Sequence, residues 1–199
     1  MIDRKICVLS VRPLMGLCTV VLMLFLSIAQ VACEDSVSIE RIREMQEQGD
    51  WEGSLESLRV LLDRSPDDPE ASYRYGVALS RTGSPDRAIW ALRKAARSED
   101  WSRPASFELA TAAIASAEWE NAIEVADALL EDDPEDLRAL RIRGEARLAG
   151  KIDFEEALAD YDLILELEPE DLEARASRAA TLIALGRVDE AAEEIQEME

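Results

Sequence analysis

The side chains that usually carry catalysis or hold a metal ion are scarce in this sequence. The 199 residues contain no histidine, the commonest acid–base residue and metal ligand, and no cysteine beyond Cys33. The acidic pairs Asp67-Asp68 and Asp132-Asp133 lack the alternating ligands and central glycine of a calcium loop. No glycine-rich loop that could cradle a phosphate is present. We therefore predict no enzymatic activity, no metal site and no cofactor.

Cys33 is a candidate for covalent chemistry of another kind, as an attachment site for lipid. It ends a stretch from Pro13 that contains no charged residue, and three basic residues against one acidic residue precede that stretch. A basic segment followed by an apolar one is typical of an export signal, and this run is also near the roughly 20 residues that span a bilayer. Glu34 and Asp35 follow it, which favours the N-terminus inside the cell and the remainder outside.

The sequence QVAC, residues 30–33, resembles the end of a bacterial lipoprotein signal, in which a small residue precedes the cysteine that becomes lipidated. Its valine and alanine fit this pattern, whereas its glutamine stands where leucine is usual. Cleavage after Ala29 and retention of the segment as an uncleaved anchor are the alternatives. Residues 1–33 are thus predicted to be a signal peptide or membrane anchor. Residues 34–199 are predicted to be exported and tethered on the periplasmic side of a bacterial envelope.

The chain is strongly acidic, with 43 Asp and Glu against 22 Lys and Arg and a net charge of −21 at pH 7. Such a surface repels nucleic-acid phosphates, so we expect no nucleic-acid partner. Alanine, leucine and isoleucine nevertheless recur at helical spacing throughout residues 35–199. This pattern indicates a folded helical domain rather than a disordered acidic tail.

Self-similarity with a period near 34 residues sets the architecture. Small residues separated by 34, 34 and 35 positions are Gly76, Ala110, Gly144 and Ala179. Each is followed, after 12 or 13 residues, by a second small residue: Ala88, Ala122, Ala157 or Ala191. Pro66, Pro134 and Pro169 mark the ends of three units at matching positions. The sequence therefore divides into five units, 35–68, 69–102, 103–136, 137–171 and 172–199.

Each unit reads as two helices joined by a tight turn. The small residues let the two helices approach closely, and Gly49, Gly83 and Gly186 supply three of the turns. Aromatic residues that follow the turns are expected to wedge between the helices, and they are Trp51, Trp119 and Phe154. The fourth unit has one extra residue within LAGKIDF, which predicts a longer turn there.

These units resemble tetratricopeptide repeats. The segments WENAIEVADALLEDDPED, FEEALADYDLILELEPED and GRVDEAAEE are similar to the second helix of that family, and the resemblance covers residues 35–199. It implies an all-α, right-handed solenoid of about five helix–turn–helix repeats whose first helices line a concave groove. Arg143 and Arg178 stand where an apolar residue is commoner. We expect their stems to cover the helix pair and their charges to reach water.

The resemblance also places a partner-binding stripe on the groove-facing side of each first helix. Its residues are Tyr73, Val77 and Arg81 in the second unit, Phe107, Thr111 and Ile114 in the third, Arg138, Arg141 and Glu145 in the fourth, and Ala176, Ala180 and Ile183 in the fifth. Because arginine pairs bidentately with carboxylate, this stripe suits a protein segment that carries apolar anchors and acidic groups. The alternative is that the arginines only balance neighbouring glutamates.

The function predicted from these features is that of an exported, membrane-tethered scaffold for protein–protein interaction. Two alternatives remain open at this point. One is that the chain is the targeting and docking part of a longer protein that bears an enzyme. The other is that it is a structural protein that self-associates through its open repeat ends.

Overall fold

Ten α-helices and no β-strand make up residues 37–197, the part of the chain that the computed structural model describes. In chain order the helices are α1 Ile39–Glu47, α2 Trp51–Arg64, α3 Pro69–Arg81, α4 Pro85–Ala95, α5 Ser102–Ala115, α6 Trp119–Asp132, α7 Leu137–Gly150, α8 Phe154–Leu167, α9 Leu172–Ala184 and α10 Val188–Glu197. Two helices fall in each of the five units, although α5 begins one residue before residue 103. The predicted signal or anchor, with Cys33 at its end, lies outside the described residues.

The helices pack as a continuous series in which each contacts the next one along the chain. The first helices of neighbouring units also contact one another, α3 with α5, α5 with α7, and α7 with α9. First helices therefore lie side by side on the inner face of the array, and second helices lie on its outer face. The predicted all-α solenoid of helical repeats is confirmed.

Aspartates cap the start of five of the described helices. At the start of α8, Asp153 accepts a hydrogen bond from the backbone N–H of Glu156 at 3.3 Å. The other four make shorter bonds. The side chains of Asp50, Asp68, Asp136 and Asp171 each accept a hydrogen bond from the backbone N–H three residues later, at 2.9–3.0 Å. These bonds satisfy N–H groups that have no partner within the helix, and the negative charge faces the positive end of the helix dipole. Three of these capping aspartates lie close behind the prolines that end the units.

Two glycines make room for a large side chain between the helices of one unit. A Cβ on Gly76 would lie 2.4 Å from Cγ of Leu92, and a Cβ on Gly144 would lie 2.8 Å from Cζ of Tyr161. Leu92 and Tyr161 are both buried. The predicted close approach is confirmed, and the space above each glycine is filled by a core side chain of the second helix.

The turn between α7 and α8 differs from the turns that contain glycine. Gly49, Gly83 and Gly186 take φ angles of 80°, 78° and 78°, in the left-handed region that glycine enters without a steric penalty. In the fourth unit Lys151 and Asp153 both take positive φ, at 57° and 51°. The longer turn predicted from the extra residue is confirmed, and it has two left-handed residues in place of one.

The tryptophans that follow the turns contact the next unit. A Cβ on Gly150, at the end of α7, would lie 2.8 Å from Cβ of Trp119, at the start of α6. The Arg81 guanidinium, at the end of α3, lies 5.8 Å from the ring centroid of Trp51, at the start of α2. Both tryptophans are half-buried, as is Phe154. Trp51 and Trp119 thus contact the first helix of the following repeat.

Arg143 and Arg178 do not send their charges to water, and that expectation was wrong. Arg143 of α7 lies 2.6 Å from the carboxylate of Asp160 in α8 and 2.7 Å from that of Asp127 in α6. Arg178 of α9 is likewise paired with carboxylates of α8 and α10. The reason is that the second helix of the arginine's own unit and the second helix of the preceding unit each carry a carboxylate within ion-pair distance of its guanidinium.

Candidate binding groove

A cavity of about 480 Å³ opens on the inner face, among α3, α5 and α7. It is lined by Ser80, Arg81, Gly83, Pro85, Glu108, Thr111, Ala112, Ala115 and Arg138. Three residues of the predicted stripe, Arg81, Thr111 and Arg138, thus come together from three different helices. The cavity combines two guanidinium groups with small apolar side chains.

Arg81 is an exposed cation at the end of α3. Its guanidinium lies over the ring of Trp51, and it forms no ion pair with a carboxylate within residues 37–197. A cation–π contact uses the face of the guanidinium and leaves its N–H groups able to donate hydrogen bonds. Arg81 can therefore bind a carboxylate that belongs to another molecule.

Arg138 of α7 is held by two residues of α5. Its guanidinium lies 4.4 Å from the ring centroid of Phe107, and its Nη2 donates to Oε1 of Glu108 at 3.1 Å. Arg103 lies over the same ring at 5.4 Å. Phe107 is only 7% exposed. It was predicted to be a groove-facing residue that contacts a partner, but most of its surface is already covered.

The α5 residues that line the cavity lie on a face of the helix that is rotated about the helix axis relative to the predicted stripe. They are Glu108, Thr111, Ala112 and Ala115, at the spacing i, i+3, i+4 and i+7 of one helix face. The predicted stripe used Phe107 and Ile114, which lie on the core side of this face. The sequence-based prediction did not include Glu108 because it placed Phe107, one residue earlier in the helix, in the stripe. The same periodicity started one residue later would have found it.

Tyr73 and Val77 of α3 are half-buried and pack against the core cluster that contains Leu79. The ring of Tyr73 lies 4.8 Å from that of Trp101, measured between centroids, with a tilt of 36°. Burial, and to a lesser extent the carboxylate of Glu108, raises the pKa of Tyr73. Both residues stabilise the base of the groove, and only part of each side chain is open to a partner.

Arg141 connects α7 with the following repeat. It is paired with Asp171, the residue that caps α9, and its Nη1 lies 3.5 Å from Oε2 of Glu173. Arg103 makes the equivalent pair with Asp136, the cap of α7. For Arg141, therefore, the structure shows the alternative in which an arginine balances neighbouring carboxylates.

The remaining predicted residues continue the stripe beyond the cavity. Ala176, Ala180 and Ile183 of α9 are exposed, and so is Glu145 of α7. None of these four residues lines the cavity. The structure thus brings together one predicted residue from each of the second, third and fourth units, Arg81, Thr111 and Arg138, and none from the fifth.

The chemistry available in this groove is that of binding. Within residues 37–197 no three His, Cys, Asp or Glu side chains are placed to hold a metal ion. The Thr111 hydroxyl donates to the carbonyl oxygen of Phe107 at 2.9 Å, a bond within its own helix. No helix in the described part of the chain has the length and hydropathy needed to cross a membrane.

Comparison with solved structures shows which proteins share this fold. MamA 41-end from Desulfovibrio magneticus RS-1 is 22% identical over 82% of this chain and 93% of that chain, with a TM-score of 0.73. A MamA RS-1 ArsTM double mutant is also 22% identical, over 81% of this chain and 92% of its own, with a TM-score of 0.72. A further MamA crystal structure is 20% identical, over 78% and 84%, with a TM-score of 0.70.

The match to a protein-family model covers most of the chain. No curated protein matches the sequence significantly. The tetratricopeptide repeat family model matches residues 40–104, 107–152 and 153–199. These three segments include all ten helices described above, apart from the first residue of α1 and residues 105 and 106 of α5. The chain therefore belongs to the tetratricopeptide repeat family.

Proposed function

We propose that this protein is a scaffold that binds an extended or helical segment of a partner protein in the groove formed by α3, α5 and α7. Tetratricopeptide repeats are typically non-enzymatic scaffolds for protein–protein interaction. The observation that carries the proposal is the inner cavity, in which Arg81 has no ion pair within residues 37–197. In a chain of net charge −21, such a guanidinium is available for a carboxylate from another molecule.

The lining of the cavity defines the chemistry of the partner. Arg81 and Arg138 project from helices on either side of α5, so a carboxylate of the partner between them would contact both. The exposed Ala115 offers small apolar surface for an aliphatic side chain, beside the buried Ala112. Glu108 already accepts from Arg138, so the partner's carboxylate competes for only one of the two arginines. The segment therefore combines Asp or Glu with apolar residues.

Selection from a random peptide library against the immobilised full-length protein tests this proposal. Enriched peptides should combine acidic and apolar residues, and their affinity should fall at least about tenfold for Arg81→Glu, because charge reversal at a close pair exceeds about 1.4 kcal/mol. The matched control is Arg87→Glu, an exposed arginine on the outer helix α4. Equal affinity for the two variants would exclude the groove. Arg141→Glu is a poor test, because it would also break the pair with Asp171.

We further propose that the chain is exported and held at a bacterial membrane by a lipid on Cys33, with an uncleaved anchor as the alternative. This rests on the basic residues before Pro13, the uncharged stretch up to Cys33 and the sequence QVAC. Cells supplied with labelled fatty acid should label the protein, and Cys33→Ser should abolish both the label and processing. An unchanged label in the variant would refute lipidation. An unprocessed protein without label would indicate an anchor.

Self-association through the last repeat is a second candidate function. Ile195 of α10 is 44% exposed, whereas the residues at this position in the three preceding units are buried: Leu92, Ala126 and Tyr161. Val188 and Ile183 are also exposed, at 58% and 52%. Sedimentation of the purified chain should then show a concentration-dependent oligomer that Ile195→Glu weakens. A monomer at all concentrations would exclude this function.

A further inference from the structure

A second cavity, of about 500 Å³, lies along α6 on the outer face of the solenoid. Its floor consists of Ile123, Ala128 and Ile152, and its rim carries Glu120, Glu124 and Glu131. Because α6 is the second helix of its unit, this outer groove is separate from the groove of the first helices. We propose that the outer groove binds a cationic amphipathic helix of a partner protein.

The floor depends on the extra residue in the turn between α7 and α8. Ile152 belongs to that turn, between the two left-handed residues Lys151 and Asp153. Its backbone N–H donates to the carbonyl oxygen of Arg147 at 2.8 Å, which holds the turn against the end of α7. The half-buried Ile152 side chain lines the groove together with Ile123 and Ala128. The insertion therefore adds to the floor an aliphatic side chain that the single-glycine turns lack.

The rim of the outer groove is negative and available to a ligand. Glu120, Glu124 and Glu131 are exposed, and none of them forms an ion pair within residues 37–197. Their spacing of i, i+4 and i+11 places them on one side of α6 over about 16 Å. Asp127 also lines the groove, but Arg143 neutralises it with an Nη1–Oδ1 distance of 2.7 Å. No basic residue lines the groove, so the positive charge must come from the partner.

A cationic amphipathic helix matches both parts of this surface. Leucine or isoleucine side chains on one stripe of the helix would cover the aliphatic floor, and lysines or arginines beside that stripe would reach the glutamates. The negative charge of the rim disfavours nucleic acid and anionic lipid as ligands of this groove. The net charge of −21 adds a long-range field that raises the encounter rate with cationic segments.

A designed peptide provides the binding probe. It has roughly 18 residues, with leucines on one helical face and lysines along both sides of that face. Fluorescence anisotropy with the full-length protein should show binding that weakens as salt is added, since exposed charges are screened. A scrambled peptide of equal composition should bind at least about tenfold more weakly. Equal binding of the scrambled peptide, or displacement of the probe by spermine at equal concentration, would overturn the proposal.

Charge reversal on α6 locates the site. Glu120→Lys combined with Glu131→Lys should lower affinity at least about tenfold. The matched control is Glu155→Lys with Glu166→Lys, which are exposed glutamates at the same positions of the next unit, α8. This control has the same spacing and the same change of net charge, and it should lower affinity less than about twofold. Equal losses in the two double variants would show non-specific attraction and would overturn the proposal.

The contribution of Ile152 to the aliphatic floor is tested separately with Ile152→Ser. This variant should lower affinity at least about threefold without any change of charge, because it removes apolar contact area. Leu172→Ser, at an exposed leucine at the start of α9, is the control and should bind as the wild type does. Unchanged affinity in Ile152→Ser, or no binding of the probe by the wild type up to about 1 mM, would refute the outer groove. These substitutions spare Arg81 and Arg138, so the result is independent of the inner groove.

Discussion

Arg143 donates to both oxygens of the Asp160 carboxylate, with Nη2 at 2.6 Å from Oδ1 and Nε at 3.2 Å from Oδ2. Asp160 is 3% exposed, and Arg147 also donates to its Oδ2, at 2.8 Å. Arg143 reaches Asp127 of the preceding unit as well. This arginine therefore joins the second helices α6 and α8 across the first helix α7.

Arg178, one repeat later, has the same arrangement. Its Nε lies 2.5 Å from Oδ1 of Asp162 in α8, and its Nη1 lies 2.6 Å from Oε2 of Glu194 in α10. The same position holds Tyr75 in the second unit and Leu109 in the third. Ionic bridges between repeats thus replace apolar packing at this position in the C-terminal part of the solenoid.

Replacing Arg143 by methionine should destabilise the fold by about 3 kcal/mol, because it leaves Asp160 buried with a single arginine. The measurement is the free energy of unfolding in urea. Arg187→Met is the control, since Arg187 pairs with Glu190 at the surface, where water screens the two charges, so its loss should lower the free energy of unfolding much less. Equal effects of the two substitutions would show that the buried bridge contributes no more than a surface pair.

Gly144→Ala should destabilise the protein although alanine favours helix. The new Cβ would lie 2.8 Å from Cζ of Tyr161, and overpacking of this kind costs about 1–3 kcal/mol, against about 1 kcal/mol gained in helix propensity. Thermal or urea unfolding measures the difference. In a Tyr161→Leu background the same Gly144→Ala change should be neutral or stabilising. A destabilisation of equal size in both backgrounds would mean that the ring is not the obstacle.

Acid should weaken the fold through two paired carboxylates. Hydrogen bonds from Arg43 and Arg74 hold the pKa of Glu70 below its usual value, and backbone N–H groups at the start of α9 do the same for the pKa of Asp171. These groups bind protons more weakly in the folded state, so their stabilisation is complete above about pH 5 and is lost as pH falls through their folded pKa values. Glu70→Gln should reduce the slope of the unfolding free energy against pH between about pH 3 and about pH 5. A slope in Glu70→Gln equal to that of the wild type would contradict this explanation.

Amide exchange should be fast in α10 from about Glu190 onward. Of the described helices, α10 packs mainly against α9, and Ile195 on its outer side is exposed. Segments with few buried contacts open at low free energy, so exchange there need not involve global unfolding. Hydrogen exchange measured on a dilute monomer tests this. Protection of α10 equal to that of α5 and α7 would contradict it, and Arg178→Met should make the exchange faster by releasing Glu194.

The amino-acid sequence by itself determined the repeat architecture of this protein. The spacing of Gly76, Ala110, Gly144 and Ala179 predicted four helical pairs, because a small residue at that point is required wherever two helices cross closely, and Pro66 marked the end of a fifth pair before them. Turn glycines and capping aspartates marked the helix ends for equally local reasons. Even the longer turn of the fourth unit was visible as one extra residue.

Only the tertiary structure decided which side chains each groove uses. Whether Phe107 or Glu108 faces the inner cavity depends on a rotation of α5 that its neighbours set, and the apolar pattern of the helix did not show it. Whether an arginine is free or paired depends on a carboxylate about 30 residues away, as in the pair of Arg141 with Asp171. The outer groove likewise joins the glutamates of α6 to Ile152 of the next unit. Such contacts arise when one repeat stacks on another, and a single repeat's spacing contains no information about that stacking.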